Sequence, residues 1–105
     1  MRLELENGRV IQEPDERALE EALRSLDGEE NSFAILDPER GDNSFLQTAG
    51  GPDTFVVEYR ESLQQFSSES VALETVISLF KACRQGTDSW RYAVPWKNIS
   101  GKINK

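Results

Sequence analysis

The side chains with the most chemical potential in this sequence are its carboxylates. Aspartate and glutamate number 19 against 12 lysines and arginines, and the formal net charge is −7. No two acids are spaced in a way that indicates one buried general acid beside one base, so an enzyme built on carboxylates alone is the least favoured class of function. Asp37, Glu39 and Asp42 loosely resemble the oxygen ligands of a calcium loop. The full pattern of such a loop is missing, and we interpret them as turn residues.

Other catalytic chemistries find little support. The sequence contains no histidine, so imidazole catalysis and histidine-ligated metal sites are excluded. Cys83, the single cysteine, has no partner for an internal disulfide, and its place in a helical pattern indicates a small core residue rather than a nucleophile. The run Gly50-Gly51-Pro52 is too short for a phosphate loop, and proline lacks the amide donor that an anion needs. We therefore expect no enzyme, no cofactor and no metal.

Length and composition indicate one compact domain. A chain of 105 residues can bury one modest core without disulfides or a metal. We assign residues 1–99 to a single α+β domain and residues 100–105 to a frayed C-terminal tail. No apolar run is long enough for a signal peptide or a membrane span. We expect a cytoplasmic protein without a membrane partner, and the unpaired cysteine fits a reducing compartment.

The charge is distributed unevenly along the chain. Residues 1–30 carry ten acids against four arginines, whereas residues 90–105 carry four basic residues and no acid. An acidic body repels nucleic-acid phosphates and steers basic protein partners, so we expect no nucleic-acid partner. The simpler interpretation, which the charge alone favours, is that the acidity only keeps the protein soluble.

The stretch of residues 44–61 organises the predicted fold. Phe55, Val57 and Tyr59 alternate with more polar residues, and residues 44–48 alternate in the same way, which is the pattern of β-strands. Residues 49–53, AGGPD, are turn formers. We therefore predict an antiparallel hairpin at the middle of a sheet.

Two further patterns predict amphipathic helices. The first runs from Asp15 to Leu26, with Gly28 as its stop. The second runs from about Ser70 to Gln85 and ends at Gly86, and the hydroxyl-rich residues 67–70 supply its N-terminal caps.

Shorter strands complete the predicted fold. We expect strands at residues 2–6 and 10–11, joined by an Asn-Gly turn, and further strands at residues 32–37 and 61–66. The predicted fold class is α+β: a two-layer sandwich with a largely antiparallel sheet of about five to six strands and two helices packed on one face. The other sheet face is open to solvent and is a candidate docking surface, although many antiparallel sheets simply have one wet face.

Trp90 and Trp96 stand close together near the end of the chain. Two tryptophans in such a segment most often pack it onto the core, and we favour that interpretation for each ring. The alternative is a recognition surface, because exposed tryptophan is a frequent interface anchor.

Several segments together resemble immunity protein family one, small bacterial proteins encoded beside polymorphic toxins. The segments run from about Pro14 to Trp96. The similar features are the Phe45-Leu46-Gln47 strand, the Val57-Glu58 pair, the Leu79-Phe80 helix, the Gly86-Thr87-Asp88-Ser89-Trp90 turn and the closing Trp96. The resemblance implies a protein that binds a cognate toxin stoichiometrically and blocks its active site or substrate access.

Our first functional hypothesis is therefore a small acidic binding protein that neutralises a toxin. An acidic surface suits a basic, nucleic-acid-acting toxin, because it can occupy the same positive site and speed association. The predicted contact residues lie on the open sheet face and adjoining loops: Asp37, Glu39, Asp42, Glu58 and Glu61.

The alternative hypothesis is a regulatory or assembly domain. Such a domain self-associates through the sheet edge or through the segment that contains Trp90 and Trp96. The oligomeric states that we expect are a monomer or a weak homodimer.

Overall fold

A computed structural model of the chain describes residues 1–39, 44–61, 64–87 and 89–99. Within these residues it contains seven strands, two α-helices and one 3₁₀ helix. The strands are β1 (Arg2–Leu5), β2 (Val10–Gln12), β3 (Phe33–Asp37), β4 (Phe45–Gly50), β5 (Thr54–Glu61), β6 (Gln64–Ala72) and β7 (Lys97–Asn98). The helices are α1 (Glu16–Arg24), α2 (Leu73–Gln85) and the 3₁₀ helix Ser89–Tyr92.

All seven strands form one antiparallel sheet in the order β2-β1-β3-β4-β5-β6-β7. The predicted hairpin of β4 and β5 is present, with Leu46 opposite Tyr59 and Thr48 opposite Val57. The predicted α+β class is therefore confirmed, with a strand count slightly above five to six. The additional strand, β7, pairs with only two residues of β6, and two residues are too few to show an alternating pattern in the sequence.

The core lies between the sheet and the two helices. Every second side chain of the inner strands faces the helices, as the pleat of a strand requires. The buried sheet residues include Leu3, Leu5, Ala34, Leu36, Leu46, Phe55, Val57, Tyr59 and Val71, and the buried helix residues include Leu19, Ala22, Leu23, Val76, Ile77, Leu79 and Phe80. Cys83 is half-buried and packs against this core, as its helical position predicted.

Helix α1 begins one residue after its predicted start at Asp15. Asp15 is the N-cap, and its side chain accepts a hydrogen bond from the amide of Ala18 at 2.7 Å. The helix ends at Arg24, however, and Ser25 is its C-cap, so the predicted stop at Gly28 is wrong. Gly28 has another role: its φ is +77°, and a Cβ there would lie 2.3 Å from the carbonyl oxygen of Gly51. Glycine is needed where these two loops meet.

Helix α2 begins later than its sequence predicts. Residues 67–70 are not caps but part of β6, which continues to Ala72 because β5 offers a long pairing partner. The N-cap of α2 is Ala72, which makes no side-chain capping hydrogen bond. Tertiary strand pairing here outweighs the local preference of serine for helix caps. The predicted end is confirmed, since Gly86 takes the left-handed conformation with φ +79°.

The segment after α2 packs on the core through an aromatic cluster. We define this cluster as Tyr59, Phe66, Trp90 and Trp96. The Tyr59 ring stacks on Phe66 and meets both tryptophan rings edge-on, each with ring centroids 4.7 Å apart. The guanidinium of Arg91 lies 4.7 Å from the Trp90 ring centroid. The packing interpretation of the two tryptophans is therefore confirmed. Trp90 is buried and Trp96 is partly buried against the core.

Two sequence predictions lie outside the described residues. One is Asp42 as a contact residue, and the other is the tail of residues 100–105. Among the described helices, none combines the length and the apolar character required to cross a membrane.

Candidate protein-binding face

One face of the sheet carries no helix from the described part of the chain, and we call it the open face. Its side chains alternate along each strand with the buried ones. Strand register places Phe33 of β3 opposite Ala49 of β4, and Ala49 opposite Val56 of β5. Directly paired residues share a face and lie side by side. The three side chains therefore form one continuous apolar row across the three central strands, near one end of each strand.

The row contains two of the large apolar side chains that are exposed in the described part of the chain, Phe33 and Val56. Among the described residues, four large apolar side chains are exposed: Val10 at 53%, Phe33 at 36%, Val56 at 37% and Tyr92 at 86%. Three of them belong to the open face, since Val10 is paired with Glu4 and shares its orientation. Single exposed apolar residues are ordinary, whereas neighbouring ones mark interaction surfaces. The open face is therefore the candidate functional site.

Acidic residues stand at both ends of the apolar row. The backbone amide of Glu6 donates to the carbonyl of Phe33 at 3.2 Å, which places Glu6 beside Phe33. At the other end, β6 contains a bulge: two residues, Glu69 and Ser70, lie opposite Val56 alone. Glu6 and Glu69 are both exposed. The row thus runs from one carboxylate to another across five strands.

The carboxylate of Glu6 is held in place by its neighbour. Its Oε1 accepts hydrogen bonds from the hydroxyl and from the backbone amide of Ser32, both at 2.6 Å. These hydrogen bonds, the one from the hydroxyl first, lower the pKa of Glu6. The side chain is consequently a fixed negative charge at neutral pH.

We expect the hydrogen bonds to Glu6 to appear as a pH dependence of stability. Because the folded pKa is lower than the unfolded one, the contribution is complete above the ordinary glutamate pKa of about 4.3. It is lost as the pH falls through the folded pKa. Glu6→Gln should therefore destabilise the protein at pH 7 and converge with the wild type in acid, as measured by urea unfolding across pH. A constant difference between the two proteins across that range would contradict this expectation.

The control for Glu6 is Glu30→Gln. Glu30 is an exposed acid in the loop before β3, and its side chain makes no hydrogen bond to a described residue. The same loss of charge at Glu30 removes no hydrogen bond to a described residue, so we expect Glu30→Gln to destabilise the protein less than Glu6→Gln at pH 7. The comparison separates the local hydrogen bonds of Glu6 from the general effect of removing one negative charge.

Two of the residues predicted from the sequence lie on the open face, but each has a partner. Asp37 accepts a hydrogen bond from Arg2 at 3.2 Å, and Glu58 accepts one from the amide nitrogen of Gln47 at 2.6 Å. Asp37 and Arg2 are paired across β1 and β3, as are Glu58 and Gln47 across β4 and β5. These contacts satisfy the two carboxylates from within the sheet.

The other predicted residues do not join them. Glu39 lies beyond the end of β3, where its Oε1 is 2.9 Å from the amino group of Met1. Glu61 alternates with Glu58 and Arg60 so that it shares the helix side of β5 with Tyr59, and it pairs there with Arg91. The structure therefore places Asp37 and Glu58 on the open face, on two strands that are separated by β4. It places Glu61 on the opposite side of the sheet, which corrects its predicted position.

Acids of the two helices also form ion pairs within the protein. Glu20 of α1 contacts Lys81 of α2 at 2.7 Å and Arg24 at 3.0 Å. The hydrogen bond from Lys81, followed by that from Arg24, lowers the pKa of Glu20. Arg24 reaches Glu74 of α2 at 2.9 Å. These contacts join the two helices, so much of the acidity of α1 is balanced within the protein.

Six acids without a basic partner among the described residues lie at one end of the molecule. This end contains the β1–β2 turn, the loop before β3, the β4–β5 turn and the bulge of β6. None of its acids takes part in an ion pair with a described residue. They are Glu6, Asp27, Glu29, Glu30, Asp53 and Glu69, accompanied by the single basic residue Arg9. Six acids therefore lie close to the apolar row without a basic partner among the described residues.

The acidic and cysteine side chains form no metal-binding cluster in the described part of the chain. No group of three or more cysteine, aspartate or glutamate side chains there is placed to hold a metal ion. A small cavity at the far end of the sheet is lined by Tyr59, Arg60, Cys83 and Trp90 among others. Burial raises the pKa of Tyr59, with the nearby charge of Arg91 acting in the opposite direction. This tyrosine is accordingly a neutral core residue at neutral pH.

The apolar row was not predicted from the sequence, because all of the predicted contact residues are acids. The alternation along β5 that places Phe55, Val57 and Tyr59 inside also places Val56 outside, between Thr54 and Glu58. An apolar residue at an outward position was the available signal. For Phe33 and Ala49 the signal was weaker, since their alignment with Val56 depends on the register of three strands.

Comparison of the chain with models of protein families, with curated proteins and with solved structures gives no significant match in any of the three.

Proposed function

We propose that this protein is a non-catalytic inhibitor that binds a cognate bacterial toxin in the cytoplasm with one-to-one stoichiometry. The observation that carries the proposal is the open face, with its apolar row exposed on a well-packed two-layer scaffold. Exposed apolar residues that are neighbours on a rigid sheet are typical of protein interaction sites. The bacterial toxin as partner is what the resemblance to immunity protein family one implies.

The scaffold suits stoichiometric inhibition. An inhibitor of this kind needs a surface that changes little on binding, because ordering a flexible surface reduces affinity. Side chains of the open face are held by cross-strand contacts, such as Gln47 to Glu58 at 2.6 Å and Arg2 to Asp37 at 3.2 Å. A sheet fixed in this way is preorganised for a partner.

The test is reconstitution with the product of the adjacent upstream gene. We expect the two purified proteins to form a one-to-one complex in sedimentation experiments, and co-expression to remove the toxicity of the partner. Sedimentation of this protein alone over a range of concentrations tests the alternative, a regulatory or assembly domain. Self-association without a toxin complex would overturn the inhibitor proposal and favour that alternative. Because both tryptophans of the sequence pack inward, the sheet edge is then the surface to examine.

A further inference from the structure

We infer that the toxin-binding surface is the apolar row Phe33–Ala49–Val56 together with the acids that bracket it, Glu6 and Glu69, and that its occupant is a basic protein surface with one projecting apolar side chain. We call these five residues the docking patch. The inference rests on the proposed function and deepens it, because it names the contact residues and the chemistry of the partner.

The dimensions of the patch define what fits it. Glu6 lies at the end of β1 and Glu69 lies in β6, so β3, β4 and β5 lie between them and the two ends are four strand spacings apart. At about 4.8 Å between neighbouring strands, Glu6 and Glu69 stand roughly 19 Å apart. A helix is about 10–12 Å wide with its side chains. One helix or loop can therefore rest on the apolar row while lysine or arginine side chains on either flank reach the carboxylates.

The charge of the patch selects the partner. Glu6 and Glu69 form no ion pair with a described residue. The neighbouring loops add Glu29, Glu30 and Asp53, all of them exposed. Uncompensated acids around an apolar centre attract a basic surface and repel an acidic one. A second copy of this chain carries the same charge of −7, so face-to-face pairing of two copies is opposed.

The docking patch differs from the contact set predicted from charge alone. Asp37 and Glu61 already have basic partners, Arg2 and Arg91. Glu58 accepts a hydrogen bond from the neutral amide of Gln47, as Glu6 does from Ser32. A carboxylate that gives up an internal partner to bind a toxin loses part of what it gains. The acids of the docking patch have no basic partner to give up, and they adjoin exposed apolar area that is removed from water on binding.

A defined probe tests the patch without the toxin. The probe is a synthetic nonapeptide with a central phenylalanine and two lysines on each side, titrated into ¹⁵N-labelled full-length protein. We expect shifts of backbone amide signals to centre on Phe33, Ala49 and Val56 and to weaken as salt is added. A matched peptide with glutamate in place of lysine should cause no such shifts. Shifts centred on α1, or no localised shifts, would overturn the inference.

The toxin complex supplies the second test. Val56→Lys places a positive charge in the middle of the row, and we expect it to weaken the complex by about tenfold or more. Tyr92→Lys is the matched control, because Tyr92 is the most exposed of the large apolar side chains described and lies in the 3₁₀ helix, outside the patch. Equal affinities for wild type and Val56→Lys would overturn the docking patch. Absence of any toxin complex would instead overturn the proposed function.

A pair of charge variants separates the acids of the patch from the general negative charge. Glu69→Gln should reduce the salt dependence of the association rate more than Glu21→Gln, although both remove one negative charge. Glu21 is exposed on α1, where it pairs with Arg17 at 3.0 Å. Equal effects of the two variants would mean that the acids act only through net charge, and would overturn the role of the bracketing carboxylates.

Discussion

Replacing Phe80 with alanine is expected to lower the free energy of unfolding by about 3–5 kcal/mol. Phe80 lies on the face of α2 that packs on the sheet, and its side chain is completely buried. The change removes a large apolar side chain from a core that can collapse only partly into the space left. Because small domains have about 5–15 kcal/mol of stability in total, this variant should be close to the limit of folding.

Urea unfolding followed by far-ultraviolet circular dichroism measures the effect of Phe80→Ala. We expect the midpoint to fall sharply, with a similar dependence on urea concentration if the folded state keeps its compactness. Tyr92→Ala is the control, since this ring is exposed and its loss should change stability by less than about 0.5 kcal/mol. Similar losses for Phe80→Ala and Tyr92→Ala would show that α2 does not form the core described above.

Replacing Trp90 with alanine should cost a comparable amount, about 3–5 kcal/mol. Trp90 makes most of the aromatic contacts of the segment after α2. Its ring packs edge-on against Tyr59 and Trp96, and the guanidinium of Arg91 lies over it. Each aromatic pair contributes about 0.5–1.5 kcal/mol beyond the area that it buries. The variant removes two such pairs at once, together with the packing of a large ring.

The loss of Trp90 should also have a local signature. Strand β7 pairs with only two residues of β6, so it depends on the aromatic cluster to remain in place. In Trp90→Ala we expect the backbone amide of Ile99, which donates to the carbonyl of Gln65, to exchange with solvent much faster than amides of β4 and β5. Trp90→Phe keeps an aromatic ring and should lose less stability. Unchanged protection of Ile99 in Trp90→Ala would contradict this dependence.

The predictable parts of the fold are those whose patterns are local. Alternation along residues 44–61 predicts the central hairpin because adjacent strands joined by a tight turn need no information from elsewhere in the chain. The start of α1 is predicted to within one residue, and the contact that fixes it is also local, since the N-cap Asp15 accepts from an amide three residues away. These features depend on backbone geometry that a few neighbouring residues decide.

The features that escaped prediction depend on distant partners. Residues 67–70 have the composition of a helix cap, yet they form β6 because β5 lies beside them. The contact of Gly28 with Gly51 joins two loops that are far apart in the sequence. The same limit applies to the site. The residue facing Asp37 across the strands is Arg2, and such a pair becomes visible only when the order of the strands is known.

The acidity of the candidate site could be predicted from the sequence, but its location could not. Its acidity follows from composition, because 19 acids on a small domain leave few neutral surfaces. The location of the site does not follow from composition, because some acids form internal ion pairs and others do not. Composition alone does not distinguish Glu20 from Glu69. In the structure, Glu20 contacts both Lys81 and Arg24, whereas Glu69 lies on a β-bulge opposite Val56 and has no ion pair with a described residue.

The aromatic cluster has a spectroscopic consequence. Both tryptophans of the protein belong to it, and it lies on the helix side of the sheet. The intrinsic emission of the protein therefore originates behind the sheet, whereas Phe33 and Val56 face the other way. A partner that has no tryptophan and rests on the open face should leave the emission spectrum almost unchanged. A red shift in emission would instead indicate that water has reached Trp90 and Trp96, so fluorescence reports the detachment of the C-terminal segment rather than the arrival of a partner.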